Sequence, residues 1–525
     1  MQLPGARGLP SGRHLGQAHR LGSLGTATLS RLGFLVAAAV AASCLQCLVR
    51  APDAFASWPR ACSTVERRPT RNGARLPPTR RQASGSAIDW RTPKPTQKEE
   101  QWPFWPVLPI APYDRRRTLR RELVPGQLWG FDQKQGVYYV HVPIRMTVYR
   151  MQSRRGLFVY APVAPTDECV ELLRELEAKH GEVAYIVLPT VAVEHKYFVG
   201  PFSRAFPKAE VWVCPGQFSV PLPLPLEFLG FPSDRLHMLP SNPQDPSIPE
   251  DWRQEGLDYR LLGPIGKDLE SGAFAEAVFY LRRLKTLLAT DLVLSVPTEV
   301  PKIVSEDPRA LAFHARDGPL EPVDTSPAAL AKGWKRICIF GLLFRTSAID
   351  VQSTPEAVRD ALASKAQELG WAGLLPCNYV ERWEETFQAL AGRGEGGLLV
   401  APILSELILN RYLSSDVWPF VESVAEAWSD MEQVVPAHFA APVRAGAQEW
   451  RDAFRRAFGE PPSPPAGPFG LQLPGFLLGG PRRGPQPKEE DLSFLRGISQ
   501  DLTNFGVIDP PERLTYLAGV DSEAN

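Results

Sequence analysis

Ile186-Val187-Leu188-Pro189-Thr190-Val191-Ala192-Val193-Glu194-His195 decides the reading of this chain. Three apolar residues, two of them β-branched, end in a Pro-Thr break, as a short buried strand does. A carboxylate and an imidazole follow side by side. Two other places repeat the arrangement. Leu287-Leu288-Ala289-Thr290-Asp291 is an apolar run that ends at an acid, and Val434-Val435-Pro436-Ala437-His438 ends at a histidine. Strands are stiff and their ends open onto clefts, so side chains placed there suit metal binding. Imidazole together with carboxylate is a normal ligand set for zinc, iron or manganese.

Working outward, strands are expected over 137–142, 156–163, 184–189 and 211–214, then as a pair over 277–281 and 286–296, with a last short strand over 433–436. Thr166–His180 predicts a helix, with a Thr cap, Asp167 and Glu168 in its first turn, Lys179 and His180 in its last, and Gly181 as the stop. Ile337–Leu343 is apolar. Further helices are expected over 355–369, 380–392, 403–413, 417–431 and 446–458. Strands come first and helices follow with growing frequency, which favours a layered α/β sandwich. Residues 461–488 are rich in Pro and Gly and read as a linker. Beyond them, Leu492, Leu495, Ile498 and Leu502 share one face of an amphipathic helix over 489–502, suited to docking on the domain or on a partner.

The chain has 525 residues, more than one compact core needs, and Lys+Arg and Asp+Glu balance at 58 each. That balance argues against a dedicated nucleic-acid binder. Up to Trp90 there are many arginines, no lysine, and only Asp53, Glu66 and Asp89 as acids. A basic stretch, the apolar run Leu32–Val49 and small residues follow the order of a secretory signal over 1–50. Residues 51–94 continue with the Arg, Ser, Thr and Pro content of a transit peptide. Signal plus transit peptide resembles the bipartite presequence of algae whose plastids have extra bounding membranes, and implies a plastid (chloroplast) location. The alternative is one membrane anchor over 32–49. Seven cysteines, three of them in the leader, suggest no disulfide framework. Trp102–Pro106 followed by Arg115, Arg116, Arg117, Arg120 and Arg121 has two readings. One is a solvated basic face beside an N-terminal strap, and the other a peripheral contact with an anionic membrane.

The three strand ends, in this order, resemble the metallo-β-lactamase superfamily. Its first motif, Thr-His-x-His-x-Asp-His, follows a strand. Thr190–His195 is one residue shorter, lacks both leading histidines and has Glu for Asp. The middle histidine should precede Asp291, where the candidate stretch is Leu262-Gly263-Pro264-Ile265-Gly266, and no histidine lies between His237 and His314. Asp291 matches the bridging aspartate, and Pro436-Ala437-His438 matches the last motif, Pro-Gly-His. The resemblance implies an αββα sandwich over residues 95–460. It also implies that first-site histidines are lost, while Glu194, His195, Asp291 and His438 remain as counterparts of the second-site ligands. One divalent metal ion held there supplies Lewis acidity for hydrolysis of an ester, thioester or phosphoester.

A closer resemblance is to a family of cyanobacterial and chloroplast proteins of unknown function placed within that fold. Trp102–Pro106, Tyr160–Thr166, Glu194–Phe202, Phe313–Asp317, Gly333-Trp334 and Val435–Phe439 carry it, over about residues 100–460. It implies no reaction. Against the metal-dependent hydrolase stands a metal-free plastid binding or assembly factor, in which His195 is a hydrogen-bonded structural residue, Asp291 caps a turn and Glu194 forms a salt bridge. The ligand of either is a small molecule or a plastid protein that the sequence does not name. His314 with Asp317 is a weaker proton-transfer candidate, set against a local structural hydrogen bond. G-x-S-x-G, G-x-x-x-x-G-K-[ST] and a convincing dinucleotide fingerprint are absent.

Overall fold

The computed structural model describes residues 116–512, except 138–139, 153–155, 218–223, 267–273, 319, 365–368, 370–376, 392–396 and 462–485. The expected signal-like and transit-like segments, the aromatic stretch 102–106, Arg115, nearly all of the Pro/Gly-rich linker and the tail beyond 512 lie outside the described residues.

One sheet runs β1 (Leu119–Val124), β2 (Leu128–Val137), β3 (Val140–Met151), β4 (Gly156–Tyr160), β5 (Val183–Leu188), β6 (Glu210–Val213) and β7 (Leu236–Met238), each beside the next. It is antiparallel as far as β4 and parallel from there. The second sheet holds β8 (Leu257–Ile265), β9 (Phe274–Leu281) and β10 (Thr286–Ala289). Two small ladders pair β11 (Val293–Leu294) with β14 (Leu399–Val400) and β12 (Ile349–Val351) with β13 (Cys377–Tyr379). From the far end of the domain, β15 (Gln433–Pro436) joins β10 in parallel and β16 (Val443–Arg444) closes that edge. The β10–β15 pairing sets the strand before Asp291 beside the strand before His438.

The helices are α1 (Asp167–His180), α2 (Val193–Ala205), α3 (Glu250–Glu255), α4 (Lys302–Ser305), α5 (Arg309–Ala315), α6 (Pro327–Leu343), α7 (Thr354–Ala363), α8 (Trp383–Ala391), α9 (Pro402–Leu407), α10 (Trp418–Ala427), α11 (Ala447–Phe458) and α12 (Glu489–Asn504).

Side-chain alternation along the strands separates the layers. Leu157, Val159, Ile186 and Leu188 face outward onto Cys169, Leu173 and Leu176 of α1 and Phe198 and Phe202 of α2. Phe158, Tyr160, Tyr185 and Val187 face inward onto the second sheet. There the Phe279 ring lies 5.5 Å from Phe158, 5.8 Å from Tyr160 and 5.7 Å from Trp252. Its neighbour Tyr280 points the other way and stacks on Trp428 at 5.0 Å. Helix, sheet, sheet and helix therefore follow in order, an αββα sandwich. Four cysteines, Cys169, Cys214, Cys338 and Cys377, are free and buried. Among the described residues no helix is long and apolar enough to cross a membrane.

Several sequence expectations change here. Residues 137–142 are not one strand but the end of β2 and the start of β3, with Gly136 opposite His141. Ile337–Leu343, read from the sequence only as apolar, is the end of α6, and the expected strand 286–296 breaks between β10 and β11. The arginines are not a solvated face. Arg116 is 2 % exposed and lies over the Phe198 ring, Arg117 is bidentate with Glu168, Arg120 pairs with Glu175, and Arg121 pairs with Asp132. Arg120 and Arg121 lie in β1 and Arg116 and Arg117 just before it, and acids of the domain pair with Arg117, Arg120 and Arg121. α12 docks on the domain, burying Leu495 and Leu502 beside α9 and α6.

Candidate metal centre

The strand-end residues converge because β5, β10 and β15 all finish at one edge of the sandwich. Beyond β5, Thr190 bridges back to Glu276, the Val191 N–H donates to the Ala275 carbonyl in β9, and the Ala277 N–H of β9 donates to the Pro189 carbonyl. The chain then turns into α2, whose first turn carries Glu194 and His195. Asp291 lies two residues past β10, and His438 lies two residues past β15. Ligand atoms of Glu194, Asp291 and His438 all fall within 4.8 Å of one another.

His438 is held from behind. Its Nδ1–H donates to the Pro143 carbonyl at 3.1 Å, which leaves Nε2 as the inward atom. That nitrogen lies 3.2 Å from Asp291 Oδ1, an ion pair when the ring is protonated. His195 is wholly buried, its ring centroid 5.7 Å from that of His438. Its Nδ1 faces the Pro162 carbonyl at 3.4 Å, and its Nε2 is buried with no hydrogen-bond partner. His195 stands beside the three-residue cluster and is not one of the three. Thr190 Oγ1 donates to Asp291 Oδ2 at 3.3 Å.

The charges sort by environment. Burial and the Asp291 carboxylate push the Glu194 carboxyl up to about 6, against the pull of His438. Burial opposes ionisation of Asp291, but the adjoining His438 and His195 rings outweigh it and hold its carboxyl low. Burial works against a charge on His438 too, yet Asp291 and Glu194 raise its value. Burial first, then His438, pushes His195 down to about 4, so it is neutral at pH 7. Lys196 is buried next to the cluster, and burial brings its amine down to about 7.

An inward imidazole nitrogen facing an ionised carboxylate, with a second carboxylate alongside, is a donor set that a cation completes. The site is not sealed, since the Asp291 and His438 side chains keep 16 % and 13 % exposure. A separate cavity of about 430 Å³ lies at the opposite end of β5, lined by Glu177, Gly181, Glu182, Val183, Ala184, Lys208 and Glu210. It holds no histidine or cysteine.

A family model described as a domain of unknown function (DUF4336) matches residues 125–456. The chain belongs to the DUF4336 family. No curated protein matches it. Among solved structures, the mono-zinc form of the metallo-β-lactamase FIM-1 from Pseudomonas aeruginosa is similar at 10 % identity, covering 65 % of this chain and 94 % of that one, with a TM-score of 0.31. DIM-1 metallo-β-lactamase is similar at 8 % identity, covering 65 % and 97 %, with a TM-score of 0.31. The metal-soaked Flv1 flavodiiron core from Synechocystis sp. PCC6803 is similar at 15 % identity, covering 38 % and 51 %, with a TM-score of 0.24.

Other sequence candidates separate. Leu262–Gly266, the counterpart of the middle motif, belongs mostly to β8, with Leu262 opposite Glu276, and brings no imidazole. His314 contacts the Tyr379 hydroxyl at 3.2 Å, whereas the Asp317 carboxylate pairs with Lys332 and Arg336, so the two form no proton-transfer pair. Sequence reasoning passed over Glu276 and Arg145, both buried behind the site. The available signal was a lone charge inside an apolar strand: Glu276 in Phe274–Leu281 and Arg145 between Ile144 and Met146. Burial and the nearby Asp291 push the Glu276 carboxyl up to about 7.

Proposed function

We propose that Glu194, Asp291 and His438 of this DUF4336 domain hold one divalent metal ion, with His195 beside it, and that the domain does hydrolase-type chemistry. The observation that carries the reading is the convergence of three ligand atoms within 4.8 Å from three separate strand ends. Imidazole plus carboxylates suits zinc, iron or manganese. Such an ion, when bound, supplies Lewis acidity to an ester, thioester or phosphoester. The chain's own residues supply the rest. Pro143 fixes which His438 nitrogen faces inward. Thr190 orients the Asp291 carboxylate. Glu194 brings the second carboxylate of the set from the first turn of α2.

The test is metal analysis and zinc, iron(II) and manganese titration of the purified domain, beside His438→Ala and Asp291→Asn. Near-stoichiometric metal in the wild type and its loss in both variants is expected. Equal, trace metal in all three overturns the reading.

One observation favours a second reading, a metal-free binding or assembly factor. His438 has a raised value beside an ionised Asp291, so a proton alone can neutralise the pair. Under that reading the partner is a small molecule or plastid protein, and metal-free protein co-purifies with a plastid complex. Both readings place the mature chain in a plastid on the strength of the leader composition. A fluorescent fusion of residues 1–94, compared with one lacking 51–94, tests the location.

A further inference from the structure

The loops that present Asp291 and His438 are each gripped by one buried side chain of opposite charge. Glu276 is fully buried in β9, and its carboxylate accepts the N–H groups of Thr290 at 2.7 Å, Asp291 at 2.9 Å and Leu292 at 3.1 Å. Three successive amides on one carboxylate fix the backbone at Asp291 itself. Arg145 in β3 is 2 % exposed and does the converse with carbonyls. Nη1 donates to Pro436 O at 2.7 Å and Nη2 to Phe439 O at 2.9 Å, on either side of His438. Its own backbone N–H donates to Ala437 O at 2.7 Å. Asp132, 2.7 Å from Arg145 Nε, balances the charge.

The grip on His438 holds an unfavourable backbone. Phe439 has φ of 58°, a left-handed conformation in a residue other than glycine. Such a residue persists only where its surroundings over-determine it.

We propose that Glu276 and Arg145 are positioning residues of the metal centre: neither is a ligand, and each sets the place of one ligand by binding the backbone around it. The proposal rests on the metal-site reading above. Its physical basis is that supporting hydrogen bonds set ligand orientation, and their loss typically weakens metal binding about 10–100-fold.

Glu276→Gln puts an N–H₂ group against a backbone N–H, and Arg145→Lys cannot bond two carbonyls on opposite sides of His438. Glu255→Gln is the control. Glu255 is as buried, accepts from Tyr149 Oη at 2.6 Å and the Gln152 N–H at 2.8 Å, and touches neither loop. Tyr149 is four residues from Arg145, about 13 Å along the strand. Zinc alone is titrated into the full chain against a competing chelator, and cobalt(II) absorption bands report ligand geometry. Weakening of zinc binding about 10–100-fold with shifted cobalt bands is expected for Glu276→Gln and Arg145→Lys, and wild-type behaviour for Glu255→Gln. Folded Glu276→Gln and Arg145→Lys proteins that bind zinc within about twofold of wild type, with unchanged cobalt bands, overturn the proposal. Should Glu276→Gln fail to fold, Arg145→Lys decides alone. A wild type without zinc affinity overturns the metal-site reading itself, a result distinct from equal binding by all proteins.

Discussion

Replacing Asp491 with alanine tests whether α12, beyond the family match that ends at residue 456, belongs to the domain's cooperative unit. Asp491 is fully buried in the first turn of the helix. It accepts from Ser347 Oγ at 2.6 Å and from Thr386 Oγ1 at 3.2 Å, and Thr386 is itself 4 % exposed. A hydrogen bond to a charged group contributes roughly 1.5–3 kcal/mol, and a buried hydroxyl left without its partner costs about 1–3 kcal/mol. A first-turn carboxylate adds about 0.3–1 kcal/mol through the helix dipole. These terms overlap, so the expected loss is about 3 kcal/mol, close to a hundredfold in an equilibrium constant. Urea unfolding reads the global value, and amide exchange of 489–504 against β9 and β10 reads the local one. A cooperative helix lowers both together. A helix that opens on its own speeds exchange only over 489–504, by roughly a hundredfold. Asp491→Asn keeps an acceptor and is expected to lose about 1 kcal/mol. Changes below about 0.5 kcal/mol in both measurements for Asp491→Ala would refute the reasoning.

Gly333→Ala is expected to destabilise despite alanine's better helix propensity, because a Cβ there would sit 2.0 Å from Leu311 O where α6 crosses α5. A net loss of about 2 kcal/mol in urea is expected, and a gain shows that the crossing can yield. Phe279→Ala empties the space between the sheets and should cost about 3–5 kcal/mol by the same assay. Asp307 pairs with Lys134 and Arg309 at 2.9 and 2.6 Å, and although burial opposes its charge, these cations hold its carboxyl below the ordinary range. Its contribution is present above the unfolded value, near 3.9, and fades as pH falls through the folded one. Asp307→Asn should therefore be less stable than wild type at pH 7 and approach it below about pH 3. An undiminished gap at low pH contradicts that assignment.

Legibility in the sequence followed how local each signal was. α1 was readable because its cap is local: Thr166 Oγ1 accepts the Cys169 N–H, and Gly181 ends the helix with φ of 104°. β5 and β6 were readable because strands buried on both faces are nearly continuous apolar runs. β1 was not, because Leu119–Val124 carries three charges, and the counter-charges of its two arginines lie elsewhere in the chain. Arg121 pairs with Asp132, and the adjoining Arg117 with Glu168, so a strand read as a basic strap. The hairpin between β2 and β3 has no Asn-Gly or Asp-Gly signal, so two strands read as one. At the candidate site, Glu194, Asp291 and His438 stood out because each follows a strand. Glu276 and Arg145 did not, because their partners are backbone groups 14 or more residues away, brought to them only by folding.

The two histidines share a construction that bears on what the cluster is for. Each directs Nδ1 to a proline carbonyl, Pro162 for His195 and Pro143 for His438, and so keeps Nε2 away from the backbone. Each also adjoins a non-glycine residue in the left-handed region: Ala161, φ 54°, precedes Pro162, and Phe439, φ 58°, follows His438. Ala161 is held there by its N–H to Val187 O at 2.9 Å, and Phe439 by Arg145. Packing alone does not call for two left-handed turns at one edge of the sandwich, since each such residue costs of order 1–3 kcal/mol. Both turns serve one end: they fix the His438 ring and set the His195 ring against it, with 5.7 Å between the centroids. The wild-type metal measurement therefore bears on these turns as well as on the ligands, because stoichiometric metal gives the two left-handed residues a task that packing does not supply.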